Sequence, residues 1–92
     1  MDIQHHPDAR RFIATVDGVQ GEVAYDLDGR EMVVTHTRVP AAIEGRGVAS
    51  AMTRAVFDHA RAEGLKVRPL CSYAAAWAQR HEEYGDVMSP DA

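Results

Sequence analysis

Apolar and polar residues alternate along residues 19–27 of the chain. The apolar or small positions are Val19, Gly21, Val23, Tyr25 and Leu27. The positions between them are mostly polar. A period of two predicts a half-buried strand with one face packed on the core and the other in water.

Two Asp-Gly pairs, at residues 17–18 and 28–29, bound this strand. Asp-Gly favours the left-handed backbone of tight hairpin turns. Apolar, β-branched runs lie beyond both turns, at residues 12–16 and 32–39. The pattern therefore predicts an antiparallel meander of three strands, preceded by an irregular lead-in at residues 1–10.

A period of 3.6 follows and predicts a helix over residues 48–63, ending at Gly64. The apolar stripe of this helix consists of Val48, Met52, Ala55, Val56 and His59. Phe57 falls near the polar side. Three explanations are open: Phe57 contacts a later segment of the chain, it contacts a partner, or it is exposed at the surface without a role.

Residues 65–70 predict a short return strand, and a strand–helix–strand crossover of this length favours parallel pairing. Pro40 and Pro69 lie near the ends of the two parallel strands, and proline donates no ladder hydrogen bond. We therefore expect the strands to diverge and leave unpaired backbone groups at a cleft. Ser72 is expected to cap a second helix, from residue 73 to about residue 80.

The segment Glu44-Gly45-Arg46-Gly47-Val48-Ala49 joins the third strand to the long helix. The first N–H groups of a helix are unpaired and lie at the positive end of its dipole, so they attract anions. The glycines let the backbone approach a ligand closely. The segment predicts a phosphate-binding loop, with a plain strand-to-helix turn as the alternative. Arg46 either adds charge-assisted contacts to phosphate or is solvated.

This segment resembles the pyrophosphate loop of GNAT acyltransferases, Gln/Arg-x-x-Gly-x-Gly/Ala, although Glu44 stands where Gln or Arg is usual. Val39-Pro40, residues 64–73 and residues 81–84 extend the resemblance to the small, single-domain GNAT-like branch. It implies an α+β, truncated GNAT-like fold: a three-stranded meander, a helix, a parallel return strand and a C-terminal helix. A single acetyltransferase domain is then expected over residues 11–92.

The same resemblance implies acetyl-CoA or CoA as the cofactor. Its diphosphate would lie on the backbone of residues 44–49. Its pantetheine arm would pair with exposed backbone along Thr37, Arg38 and Val39, as an added strand does.

Cys71 follows the return strand and precedes the second helix, a position that shifts a thiol toward thiolate. It matches the Pro-x-Cys-Ser-aromatic stretch of the small branch, which implies a nucleophile that carries the acyl group. Two alternatives stay open. An amine attacks acetyl-CoA directly while nearby groups move protons, or Cys71 is buried and inert.

His36 lies on the third strand, where GNAT-like enzymes often place a general base, and a free pKa near 6.5 suits that role. A hydrogen-bonded core histidine is the alternative. Tyr73 resembles the tyrosine that some GNAT enzymes use to protonate the leaving thiolate; packing against Trp77 is its alternative. His59 is expected to be structural, and residues 81–84 to pin the C-terminus.

Composition narrows the remaining classes. A net charge of −4 argues against a general nucleic-acid or membrane-surface binder. One cysteine cannot form an internal disulfide, and it argues against a structural zinc site. The adjacent His5 and His6 are interpreted as solvated, so no metal is expected. Without an apolar run long enough for a membrane span or a signal core, a cytoplasmic protein is expected.

The sequence thus predicts an acetyl-CoA-dependent N-acetyltransferase that acts on an amine. The rival is a non-catalytic module that binds CoA or acyl-CoA and acts through a protein partner; a small structural domain without a ligand is a third reading. The short hairpins leave no room for the N-terminal helices that wall the acceptor site in larger GNAT enzymes. The acceptor site is therefore expected to be open or completed by another subunit or by the acceptor itself, which favours a protein or polyamine acceptor.

Overall fold

A single five-stranded sheet organises the structure, a computed structural model that describes residues 1–90. Its strands, in spatial order, are β1 (Asp2–His6), β2 (Arg11–Val16), β3 (Val19–Asp28), β4 (Glu31–Arg38) and β5 (Lys66–Pro69). The pairs β1–β2, β2–β3 and β3–β4 are antiparallel, and β5 is parallel to β4. The helices are α1 (Val48–Glu63) and α2 (Ser72–Arg80), with 3-10 turns at Ala41–Ile43 and Glu82–Val87. The predicted α+β arrangement, with a parallel return strand after the long helix and a C-terminal helix, is confirmed.

The irregular lead-in predicted for residues 1–10 is corrected by β1, which pairs with β2 and extends the meander by one strand. Ile3 is the apolar residue at one inward position, and His5 occupies the next. The His5 ring stacks on Phe12, with ring centroids 4.1 Å apart. Because a histidine takes an inward place, the sequence of this edge strand does not show the usual apolar period.

The core lies between one face of the sheet and the two helices. Phe57 is fully buried and its ring packs against Trp77 and Tyr84, with centroids 5.2 and 5.5 Å away. Of the alternatives left open for Phe57, the structure therefore shows a contact with later segments of the chain. Trp77 donates its indole N–H to the Ser50 hydroxyl at 2.8 Å, which ties α2 to the first turn of α1. Among residues 1–90, no helix has the length and apolar character needed to cross a membrane.

A β-bulge in β4 decides which way its last residues face. Ala24 of β3 pairs with His36, whereas Tyr25 pairs with Val34, so Thr35 is an extra residue in β4. Paired residues share a face, and the extra residue reverses the alternation. As a result Thr37, which pairs with the buried Val23, faces the helices, while His36 faces the opposite side. We call that opposite side the open face.

The two parallel strands diverge, as predicted. Their pairing runs from Glu31 and Lys66 to Val34 and Pro69. The Val34 carbonyl then accepts the N–H groups of both Leu70 and Cys71, at 3.0 and 3.1 Å. β4 continues to Arg38 beyond this point, while the chain after Pro69 turns into α2. We call the gap between residues 35–39 and the start of α2 the fork.

Candidate functional site

The loop before α1 has the backbone of a tight, exposed turn. Gly45 and Gly47 have φ values of 78° and 75°, in the left-handed region that favours glycine. A Cβ at either position would meet no neighbouring atom within 4 Å. The need for glycine is therefore conformational. Ile43, buried in the core, anchors the start of the loop.

The N-terminus of α1 presents unpaired donors. Its first helical hydrogen bond runs from the Ala51 N–H to the Gly47 carbonyl, at 3.0 Å. The N–H groups of Val48, Ala49 and Ser50 therefore precede the intrahelical ladder. Within residues 1–90, no side chain caps this helix, and its first turn holds no acidic residue. These features fit a bound anion such as the diphosphate of CoA.

A cleft of about 240 Å³ opens at this helix end. It is lined by Val39, Ile43, Glu44, Gly45, Gly47, Val48, Ala49, Ser50 and Tyr73. The structure thus brings most of the predicted cofactor-binding residues together and adds Tyr73 from α2 as a wall. Arg46 points elsewhere: its guanidinium lies 2.6 Å from the Asp17 carboxylate at the β2–β3 turn, and both side chains are exposed.

Cys71 is the N-cap residue of α2, a place that the sequence had assigned to Ser72. Its Sγ lies 3.6 Å from the Thr37 hydroxyl across the fork. Burial by itself would raise the pKa of the Cys71 thiol. The backbone N–H of Ala74, the Thr37 hydroxyl and the backbone N–H groups of Tyr73 and Thr37 outweigh it and hold the pKa below its usual value.

His36 lies on the open face, away from the side that Thr37 shares with the helices. Its side chain is 51% exposed, and its Nε2 lies 3.1 Å from a Glu22 carboxylate oxygen. Arg38, also expected to contact the cofactor, faces the same way and is 62% exposed. Of the predicted site residues, the structure therefore places Cys71 and Thr37 together and puts His36 on the other side of the strand.

Three residues near the site were missed by the sequence reading. Ser50 lines the cleft and accepts a hydrogen bond from Trp77. Its position in the first turn of the predicted helix was the sequence feature that could have identified it. On the open face, Glu22 contacts both His36 and Arg11. The two-residue turn at positions 17–18 fixes the β2–β3 register, so the closeness of Arg11 and Glu22 could have been worked out from it.

Comparisons with known proteins agree with this fold. The family model described as GCN5-related N-acetyl-transferase matches residues 11–87, and the chain belongs to this family. The chain is 28% identical over 93 residues to Protein NATD1 of Homo sapiens, covering 96% of this chain and 82% of the relative. For Protein NATD1 of Bos taurus the identity is 30% over 93 residues, with the same coverage.

A solved structure is also similar. The NMR solution structure of a GCN5-like protein from Staphylococcus aureus superimposes with a TM-score of 0.76 at 28% identity. The match covers 96% of this chain and 87% of that protein. The strand–loop–helix unit that forms the cleft is therefore part of a shared domain.

Proposed function

We propose that this protein is an N-acetyltransferase that takes acetyl from acetyl-CoA and transfers it to an amine. One observation carries the proposal: the anion-receptive end of α1 and the first turn of α2, which directly follows Cys71, line the same cleft. Val39 and Tyr73 both line the cleft, and Tyr73 lies in the first turn of the helix whose N-cap residue is Cys71. Acetyl-CoA carries a diphosphate, which suits the N-terminus of α1, and a thioester, which suits the Cys71 thiol.

Different groups of the protein bind different parts of acetyl-CoA. The N–H groups of residues 48–50 and the two left-handed glycines receive the diphosphate. Arg46, released from Asp17, adds a charge-assisted contact. The edge of β4 from Thr37 to Val39 lies free of β5 and pairs with the amides of the pantetheine arm. Acetyl-CoA supplies the activated acetyl group.

Cys71 is the proposed carrier of that group. Its thiolate forms an Sγ–C bond to the acetyl carbonyl carbon as the C–S bond of the thioester breaks, and Tyr73 gives a proton to the departing thiolate. The acceptor amine then forms the C–N bond as the Sγ–C bond breaks, which regenerates the Cys71 thiolate. Tyr73, which lost its proton in the first step, takes the proton that the amine loses and so returns to its neutral form. His36 is held by Glu22 on the other side of β4 and takes no part in this step.

Intact-mass analysis after incubation with isotopically labelled acetyl-CoA tests this chemistry. We expect an adduct of one acetyl group that is absent in Cys71→Ala and lost from the wild type when an amine is added. Transfer that persists in Cys71→Ala without an adduct would favour direct attack by the amine. CoA binding without turnover against an amine panel would favour the non-catalytic module.

Cofactor binding is tested separately by NMR titration with CoA. We expect the amide signals of residues 44–50 to shift. Binding to the folded state alone, at 100 times Kd, would add about 2.7 kcal/mol to the free energy of unfolding. No shift at these amides, and no stabilisation, would favour a structural domain without a ligand. The cytoplasmic location stays a prediction.

A further inference from the structure

Four charged or titratable side chains form a cluster on the open face. Glu22 lies at its centre, with contacts of 3.3 Å to Arg11, 3.1 Å to His36 and 3.9 Å to Arg38. Ala24 pairs with both Arg11 and His36 and is only 2% exposed, so these two side chains lie across it. The cluster is therefore an ordered layer on the sheet.

The cluster carries a positive charge although the chain as a whole has a net charge of −4. Two arginines, Arg11 and Arg38, face the single carboxylate of Glu22. The Glu22 oxygens are already engaged by these bases, whereas most of the Arg38 side chain is in solvent. Farther along β3 the same face becomes acidic, at Asp26 and Asp28, so its charge is polarised along the strand.

The positive end of this face adjoins the fork. His36 and Arg38 flank Thr37, the residue that contacts Cys71 across the fork. Leu70, which directly precedes Cys71, is 63% exposed. An acceptor that reaches the fork from the open face therefore meets the Arg38 guanidinium and an apolar side chain.

We propose that the open face beside the fork binds the acceptor as an acidic peptide segment, with anionic side chains next to the amine to be acetylated. This inference rests on the proposed function and names its substrate class. Arg38 and Arg11 receive the carboxylates, and Leu70 contacts an apolar residue of the peptide. A polyamine brings positive charge to a positive surface, where Coulomb repulsion opposes binding.

An NMR titration of the full chain without acetyl-CoA tests the inference. The probes are an amidated peptide with a free amino terminus, Ala-Glu-Asp-Leu, its neutral counterpart Ala-Gln-Asn-Leu, spermidine and inorganic phosphate. We expect the acidic peptide to shift the amides of Glu22, His36 and Arg38. It should bind about tenfold more tightly than the neutral peptide at low salt, with the difference shrinking as salt screens the charges.

Arg38→Gln should remove most of the preference for the acidic peptide, and Arg38→Lys should keep part of it. Arg80→Gln, in the last turn of α2, is the matched control and should leave the preference unchanged. Four results would each overturn the inference: equal affinity for the two peptides, tighter binding of spermidine than of the acidic peptide, binding of phosphate as tight as that of the acidic peptide, or amide shifts on another surface. Peptide binding without acetyl transfer would overturn the proposed function alone, and transfer without acidic preference would overturn this inference alone.

Discussion

The Cys71 thiol and the Thr37 hydroxyl lie 3.6 Å apart, joining the N-terminus of α2 to the inward side of β4 across the fork. The thiol donates to the hydroxyl oxygen when protonated, and the hydroxyl donates to sulfur when Cys71 is a thiolate. Backbone N–H groups of Tyr73 and Ala74 act in the same direction on the pKa. The pair therefore helps to lower the pKa of the Cys71 thiol at the point where β4 and β5 separate.

Thr37→Val should raise the pKa of the Cys71 thiol because it removes a hydroxyl that stabilises the thiolate while keeping the shape of the side chain. The rate of alkylation by iodoacetamide as a function of pH reports the thiolate fraction. In the wild type this profile should lie at lower pH than that of a free cysteine, and in Thr37→Val it should move to higher pH. Thr37→Ser keeps the hydroxyl and should stay near the wild type; an unchanged Thr37→Val profile would contradict the role of the pair.

Gly47→Ala should lower the free energy of unfolding by about 1–2 kcal/mol, because a side chain strains the left-handed backbone at φ 75°. It should also weaken CoA binding, since Gly47 shapes the mouth of α1. Gly29→Ala is the matched control: it imposes similar strain at φ 59° in the β3–β4 turn, far from the cleft. Urea unfolding and CoA titration measure the two effects. Equal CoA affinity in Gly47→Ala and Gly29→Ala would show that the loop at Gly47 does not bind CoA.

Arg46→Gln should change stability by less than about 1 kcal/mol, because its ion pair with Asp17 is exposed. CoA affinity should fall about tenfold, the equivalent of about 1.4 kcal/mol. Asp17→Asn releases the guanidinium and should tighten CoA binding. Calorimetric titration of both variants checks these opposite signs. A similar loss in both would mean that Arg46 acts by holding the loop to the β2–β3 turn.

Acidification should destabilise the fold through His5. Burial first, then the nearby His59 and His6, lower the pKa of His5, so the unfolded chain binds its proton more readily than the native protein. The contribution of His5 to the free energy of unfolding is then fully present above about pH 6.5, and it is lost as the pH drops through the pKa of His5 in the folded protein. His5→Phe should retain the stack on Phe12 and make the free energy of unfolding less dependent on pH. The His6 side chain points outward, so His6→Gln should keep most of the pH dependence. Urea unfolding between about pH 8 and about pH 5 measures the slope.

The sequence by itself determined the elements whose cause is local. Asp-Gly pairs specify tight turns, a 3.6 period specifies α1 with the bounds 48–63, and two glycines around Arg46 specify a left-handed turn before a helix. These follow from backbone sterics and from periodicity over a few residues. The divergence of β4 and β5 was also predictable, because Pro69 carries no N–H for the ladder.

Only the tertiary structure decided what depends on distant partners. β1 exists because β2 supplies its hydrogen bonds and Phe12 a surface for His5. The extra residue Thr35 turned His36 to the open face, whereas regular alternation would have kept it beside Val34. Cys71 became a helix cap facing Thr37 because the Val34 carbonyl binds two successive N–H groups. Pairing register and bulges arise between strands, so no single stretch of the chain encodes them.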